Sequence, residues 1–370
     1  MSNSVADLFV RLAEIPSPSG FELEVARYIK GQLDKIGVIS RFDDSGRKNN
    51  SNCGNLIATI PGGKAHIMFI AHIDTVETGK ERIKPVVKHG SITSDGTTIL
   101  GVDNKGAVAC LISAAKEIKQ IKNRPTVTLV FSTREENGRM GANYITPDHS
   151  TKFIFVLDGS DKAGTFINQA LGQIPFNIEI YGREVHAGYA PQKGINAIMT
   201  ASLIISKLAM GKAKDGSTLN IGRIRGGTVV NVVPGKTTIS GEVRAFTKSK
   251  MDKRLAEVED VVKHVCRKTG CTYTFTKKVK EGAPPFSTGR ETQIAALAKA
   301  AATSSGLKFS MSTVRATTES NILKHKGFAI LGMSRGGSMP HSLSETITIQ
   351  ELEALKTLIV ETARNASSFA

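Results

Sequence analysis

The sequence predicts an α/β protein in which a mainly parallel central sheet, flanked by helices, is interrupted by an inserted α+β unit with a ferredoxin-like order of elements. Three observations carry this. Short, near-continuous Val/Ile/Leu/Phe runs alternate with helix-like segments up to about residue 170, which is how strands buried on both faces read. After Gln169 the rhythm changes to strand, helix, strand, strand, helix, strand. Past a Gly/Pro-containing stretch, "EGAPPFSTG" (281–289), a helix, a strand and a long C-terminal helix resume the first pattern. A chain of 370 residues suffices for two cores, so the expected division is residues 1–170 with 284–370 as one domain and 171–283 as the insert.

The elements follow in order. Val5, Leu8, Phe9 and Leu12 have helical spacing. "SGFE" (Ser19 to Glu22) reads as a capping box for a second helix that carries Val25, Ile29, Leu33 and Ile36 and stops at Gly37. Strands are expected at "NLIATI" (55–60) and "HIMFIA" (66–71), a helix near 105–121, and strands at "VTLVFS" (127–132) and "FIFVLD" (153–158). In the insert the reading gives a strand at 173–181, a helix at 194–210, strands at 218–225 and 229–244, a helix at 251–269 and a strand at 272–280. A helix at 291–304, the strand "FAILGM" (328–333) and a helix from about 349 complete the chain.

Lysine and arginine number 49 against 33 acidic residues, a net charge of +16 that is compatible with anionic partners. Ten basic and four acidic residues fall between Lys248 and Lys280, where Tyr273 and Phe275 alternate as in a strand. With no further aromatics the stretch reads as a solvated basic face, not a nucleic-acid platform. Four cysteines form no regular framework, no apolar run is long enough to span a bilayer, and the opening "MSNSVADLFVRLAEI" lacks a signal-peptide layout. The expectation is a soluble cytoplasmic protein with no membrane contact.

Chemistry-bearing residues gather at strand ends. His72 follows the strand 66–71, Glu135 and Glu136 follow 127–132, Asp158 closes 153–158, and His341 comes soon after 328–333. Beyond the carboxyl ends of strands in an open α/β sheet, such residues can converge in one crevice. Two imidazoles and several carboxylates, with no cysteine among them, suit a hydrolytic Zn²⁺ or similar divalent ion. Asp103, in "DGTTILGVDNKGAVA", is a further candidate, and a carboxylate can bridge two metals. Asp74 is placed to accept the second imidazole N–H of His72 and fix its tautomer. Singly, each of these reads as a polar strand terminus or a solvated turn. Five at equivalent topological positions point to a centre. His66, His89, His149, His264 and His325 lack that company and read as surface or packing residues.

The stretches "AHIDTV", "DGTTILGVDNKGAVA", "STREENGRMGA", "LDGS", "GREVHAGYAPQKGINAI", "NVVPGKTTISGEVR" and "MPHSLSETI" resemble, in order, those of the co-catalytic dizinc exopeptidases that include peptidase T, carboxypeptidase G and the aminoacylases. The peptidase T-like branch is the most similar. The resemblance implies a zinc exopeptidase-like fold whose insert is a lid and dimerisation domain. It implies His72 and Asp158 on one metal, Glu136 and His341 on the other, Asp103 bridging, Glu135 as general base, and a cis peptide between Asp103 and Asn104. It also implies that His186 polarises the scissile carbonyl, often from the partner subunit, and that Asn231 and Arg244 hold substrate backbone or carboxylate. From the residues alone, the preferred readings are a surface ion pair for Arg244 and a turn residue before Pro234 for Asn231. The chain departs from the family in "RATTES", where Ala316 and Thr317 stand for glycines and Glu319 for Asp, and at Asn104, where relatives often carry Asp.

The expected activity is a dizinc metallopeptidase: an aminopeptidase or tripeptidase that cleaves short peptides as a homodimer, with two divalent ions per subunit, zinc first and cobalt or manganese as alternatives. An N-acyl amino acid deacylase using the same site is the alternative. A binding protein with a vestigial centre, using the basic face of the insert, is a third reading, opposed by the intact Glu135 and ligand set.

Overall fold

The computed structural model describes residues 4–76 and 82–369, with backbone only at Lys280. The chain forms two compact units: residues 4–76, 82–169, 287–314 and 318–369 make the first, and 170–286 with 315–317 the second.

The first unit is built on a sheet with the order Ser40–Phe42, Leu56–Ile60, Pro125–Ser132, Gly63–His72, Thr151–Leu157, Ala329–Met333, Thr165–Ala170, Phe286–Ser287, with Ser310–Val314 beside Thr165–Ala170. Its four central strands, Pro125–Ser132 to Ala329–Met333, are mutually parallel, and the pairings between Ser40–Phe42, Leu56–Ile60 and Pro125–Ser132 are antiparallel. The central strands are buried nearly throughout, as their unbroken apolar runs require. Phe69 stacks on Phe155 across neighbouring strands with ring centroids 5.7 Å apart, and Phe155 meets Phe166 edge-on. Helix Val102–Ile118 is apolar almost all round because it is enclosed, with Ala107, Val108, Leu111 and Ala115 fully buried in the common core. Helices Val5–Glu14, Gln293–Ser304 and Ile349–Ala366 contribute apolar faces to the same core. Thr348 and Glu351 cap the last of these with a reciprocal capping box.

The capping box expected at Ser19 to Glu22 does not form. Helix Leu23–Lys35 starts without a side-chain cap. The Ser19 hydroxyl donates to Asp74, and the Glu22 carboxylate accepts from the Gly20 and Arg134 N–H groups and from the Ser51 hydroxyl. Both side chains are taken by long-range partners that sequence spacing does not show.

The second unit is an antiparallel sheet with the order Gly211–Lys212, Thr218–Gly226, Lys236–Ala245, Gly172–Tyr181, Thr272–Lys277, covered by helices Ala197–Lys207 and Lys248–Thr269. Gly172–Tyr181 alternates buried and half-buried positions, the signature of a sheet with one face on a core. Phe176, Ile178, Ile180, Ile204, Val243, Leu255 and Val262 fill that core. The strand expected from residue 229 begins only at Lys236, since Pro234 and Gly235 interrupt the ladder. Phe275 stacks on Phe176 at 5.4 Å, and Tyr273 packs against the same core. Lys277 pairs with Glu259 and Arg254 with Glu257, so part of the basic stretch is neutralised locally. The four cysteines are buried and free, and no helix among the described residues is long and apolar enough to cross a membrane.

Candidate metal centre

The parallel register fixes where the polar residues emerge. His72 is paired with Ser132, Ile70 with Val156, and Leu157 with Met333, so the four central strands end at one level and their following residues share one edge of the sheet. His72 is the last residue of its strand and is almost fully buried. Its Nδ1 lies 3.1 Å from the Asp74 carbonyl oxygen and 3.3 Å from Asp74 Oδ1, which leaves Nε2 facing Asp103 Oδ1 at 3.2 Å. Asp74 is wholly buried and accepts from the N–H groups of Glu135 (3.0 Å) and Glu136 (3.1 Å) and from Ser19 Oγ (2.5 Å). Arg134, at φ 54°, turns the chain so that both N–H groups reach that carboxylate.

Asp103 and Asn104 depart from helical geometry at the start of helix Val102–Ile118, and the peptide between them is cis. The loop is held by Glu345, whose carboxylate accepts from the N–H groups of Leu100 (2.9 Å), Gly101 (2.7 Å) and Asp103 (3.0 Å). Asn104 Nδ2 donates to the Leu157 carbonyl at 2.6 Å, tying the loop to the end of a central strand. Asp158 lies one residue past that strand, its N–H bonded to the Met333 carbonyl at 3.0 Å. His341, half-exposed, places Nε2 2.9 Å from Glu136 Oε1 and 3.3 Å from Asp103 Oδ2.

The structure thus brings His72, Asp103, Glu135, Glu136, Asp158 and His341 into one cluster, with Asp74 behind it. Three groups have donor atoms within 4.8 Å of one another: His72, Glu135 and Glu136; His72, Asp103 and Asp158; Asp103, Glu136 and His341. Asp103 belongs to both of the last two, so its two oxygens link a His72–Asp158 lobe to a Glu136–His341 lobe. Nitrogen and oxygen donors without thiolates fit hard or borderline divalent ions.

The electrostatics agree with a centre short of positive charge. Burial pushes Glu135 well above the usual carboxylate range, with Asp158 and Glu136 adding to the rise against an opposing pull from His72. Burial and the Asp103 charge raise Asp158 to about 6. Burial opposes charge on Asp103 as well, but Arg335, His341 and His72 outweigh it and hold this carboxyl well below the ordinary range. Hydrogen bonds to Asp103 and Glu136 lift His341 to about 10.

His186, Asn231 and Arg244 belong to the second unit. The Ala187 N–H donates to the Asn231 carbonyl and His186 bridges to Val232, which ties the two loops together. The His186 and Tyr189 rings pack at 4.5 Å. Arg244, half-buried, is ion-paired with Glu242 at 2.7 Å. Sequence reasoning missed Arg335, Glu345 and the burial of Glu319. An Arg among glycines and a Glu ahead of a helix carry no local signal, since their partners lie far along the chain. His66 is a packing residue, its ring bonded to Ser150 and Thr128 hydroxyls.

Comparison with known proteins agrees with this architecture. Residues 169–270 match the peptidase dimerisation domain of the M20 family, and residues 55–198 match the peptidase family M28 model. The uncharacterized protein YqjE of Bacillus subtilis is 30% identical over 363 residues, covering 97% of each chain. Peptidase T of Clostridium perfringens is 25% identical over 383 residues, covering 91% of this chain and 90% of the other. The crystal structure of aminopeptidase PepT from Bacillus cereus superposes with a TM-score of 0.88 at 29% identity, covering 99% of both chains. Likeness over the whole length, with the insert in its place, means that this chain belongs to the M20 family of metallopeptidases, in its peptidase T-like branch.

Proposed function

We propose that the chain is a two-metal exopeptidase of the aminopeptidase or tripeptidase type, acting on short peptides. One observation carries this reading: two donor groups, His72 with Asp158 and Glu136 with His341, share Asp103, while Glu135 stands against both lobes without being needed to link them. His72 and Asp158 would hold one ion and Glu136 and His341 the other, with Asp103 common to both. When bound, two divalent ions, zinc first, supply the Lewis acidity that brings the pKa of water down to ~7. Glu135 takes the proton of the attacking water, whose oxygen bonds to the carbonyl carbon. As the peptide C–N bond breaks, Glu135 returns that proton to the leaving nitrogen. Asp74 keeps the His72 ring and the Glu135–Glu136 backbone in register through the bonds it accepts. His186 polarises the carbonyl, and Asn231 and Arg244 hold the substrate.

The test is release of free amino acid from di- and tripeptides, expected to vanish on chelation and to return with metal. Glu135→Gln is expected to cost on the order of 10²–10⁴ in kcat while metal content is unchanged; full activity in that variant rules out the base. Turnover of acetylated amino acids with unblocked peptides untouched would instead favour the deacylase.

The chain acts as a homodimer in this reading. Support comes from the match to a peptidase dimerisation domain and from the exposure of every residue from Gly222 to Asn231. Mixing Glu135→Gln and His186→Ala subunits tests sharing: activity that neither variant has alone is the expected result, and none is the result against it.

A further inference from the structure

Arg335 takes no part in the chemistry above, yet it is the permanent charge nearest the shared carboxylate. It follows strand Ala329–Met333, is 1% exposed and ranks among the largest fully buried side chains. Its surroundings are built. The Arg335 N–H donates to the Gly159 carbonyl at 2.9 Å, the Gly336 N–H to Asp161 at 3.0 Å and the Ser334 N–H to Thr165 at 3.1 Å. Gly337, at φ 79°, stands where no side chain fits: a Cβ there would lie 2.8 Å from Val102 Cγ1 and 3.4 Å from Arg335 Nη1. Nη1 is spent on the Gly336 carbonyl at 2.9 Å. Nη2 lies 3.0 Å from Asp103 Oδ2, while neither it nor Nε has an aligned hydrogen-bond acceptor among the described residues. A buried guanidinium with donors to spare is therefore aimed at the one carboxylate that both lobes use, and at the oxygen of it that faces His341.

We propose that Arg335 is a resident cation for Asp103, one that holds the carboxylate in place in the metal-free protein and makes the two metal positions unequal by weakening the Glu136–His341 position. The inference rests on the two-metal reading. A guanidinium does not deprotonate, so its charge remains when an ion arrives. An ion in the Glu136–His341 lobe must share Oδ2 with a fixed positive charge a few ångströms away, where little water screens the repulsion. The His72–Asp158 lobe draws on Oδ1 and not on Oδ2, although the guanidinium charge also reaches Asp158. Arg335 is thus a positioning residue whose effect is read in metal affinity.

The experiment is a chelator-competition titration with Zn²⁺, begun from metal-loaded protein so that only the loaded fold is required. The parent chain is expected to hold two ions of separable affinity. Arg335→Met and Arg335→Gln are expected to tighten the weaker ion by about tenfold or more, as relief of charge repulsion requires, and Arg335→Lys to leave it near the parent value. The chelator-stripped Met and Gln variants are also expected to melt below the stripped parent. A weaker ion that is unchanged or looser in both neutral variants overturns the inference while the two-metal reading stands. A parent chain that binds fewer than two ions overturns that reading and the inference with it.

Discussion

Glu319 illustrates how a single buried acid makes stability depend on pH. Its side chain is 1% exposed, Oε1 has no hydrogen-bond partner among the described residues, and burial raises it from 4.5 to about 7. The metal-free native state therefore holds this proton more tightly than the unfolded chain does. The resulting stabilisation is fully present below the unfolded value and is lost as pH rises through about 7. A rise of that size corresponds to about 3 kcal/mol. Glu319→Gln, neutral at every pH, is expected to make the chelator-treated protein more stable than the parent at pH 8 by up to ~3 kcal/mol, with the gap closing toward pH 4.5. Urea unfolding at a series of pH values measures this, and a gap that does not vary with pH contradicts it. Bound cations lower the same pKa, so the metal-loaded enzyme is expected to show a smaller gap.

Among the elements, the loop bearing Asp103 depends on Glu345 more than on its own residues. Three buried N–H groups share that carboxylate, and removing it leaves each without its acceptor. Glu345→Ala is expected to destabilise by on the order of 3 kcal/mol or more and to impair metal loading, because Asp103 loses its anchor. Glu345→Gln, which keeps one carbonyl oxygen, is expected to be milder. Thermal unfolding and metal stoichiometry check both; a Glu345→Ala protein with the parent's melting temperature and metal content refutes the anchor. The same loop shows where sequence stops being informative. Central strands are legible because burial on both faces imposes an unbroken apolar run, and the strand ends in turn made His72, Glu135, Glu136 and Asp158 legible. Short strands such as Ser40–Phe42, Pro85–Lys88 and Ser310–Val314 are not, since three to five residues of mixed burial impose no pattern. Ser19 and Glu22 have capping-box spacing, yet Asp74 and Arg134, which fold brings beside them, compete for the same side chains and win. Glu345 is read by backbone groups more than 240 residues away, a relation that no local window contains.

For the molecule as a whole, the second unit offers an edge that its own fold leaves open. Strand Thr218–Gly226 is paired along one side with Lys236–Ala245, but on the other, among the described residues, only Thr218 and Leu219 meet Gly211–Lys212. Open edges of this length invite pairing with another chain. Beside it, helix Ala197–Lys207 turns Ala197, Thr200, Ala201 and Ile204 inward and leaves Ile198, Met199 and Leu203 exposed. Ile198 is within reach of Gly226 and Gly227, so the helix face and the end of the open edge form one surface. A second copy applied to this surface would satisfy the edge and cover the apolar side chains together, an isologous contact that closes at two subunits. Met199→Glu places a charge in the middle of that face while touching nothing in the unit's own core. The expected result is a monomer by sedimentation, with the circular dichroism of the parent, and with peptidase activity lost if His186 works across the interface. A Met199→Glu chain that still sediments as a dimer would show that the subunits meet elsewhere, because a desolvated, unpaired carboxylate at the centre of an apolar contact is not tolerated.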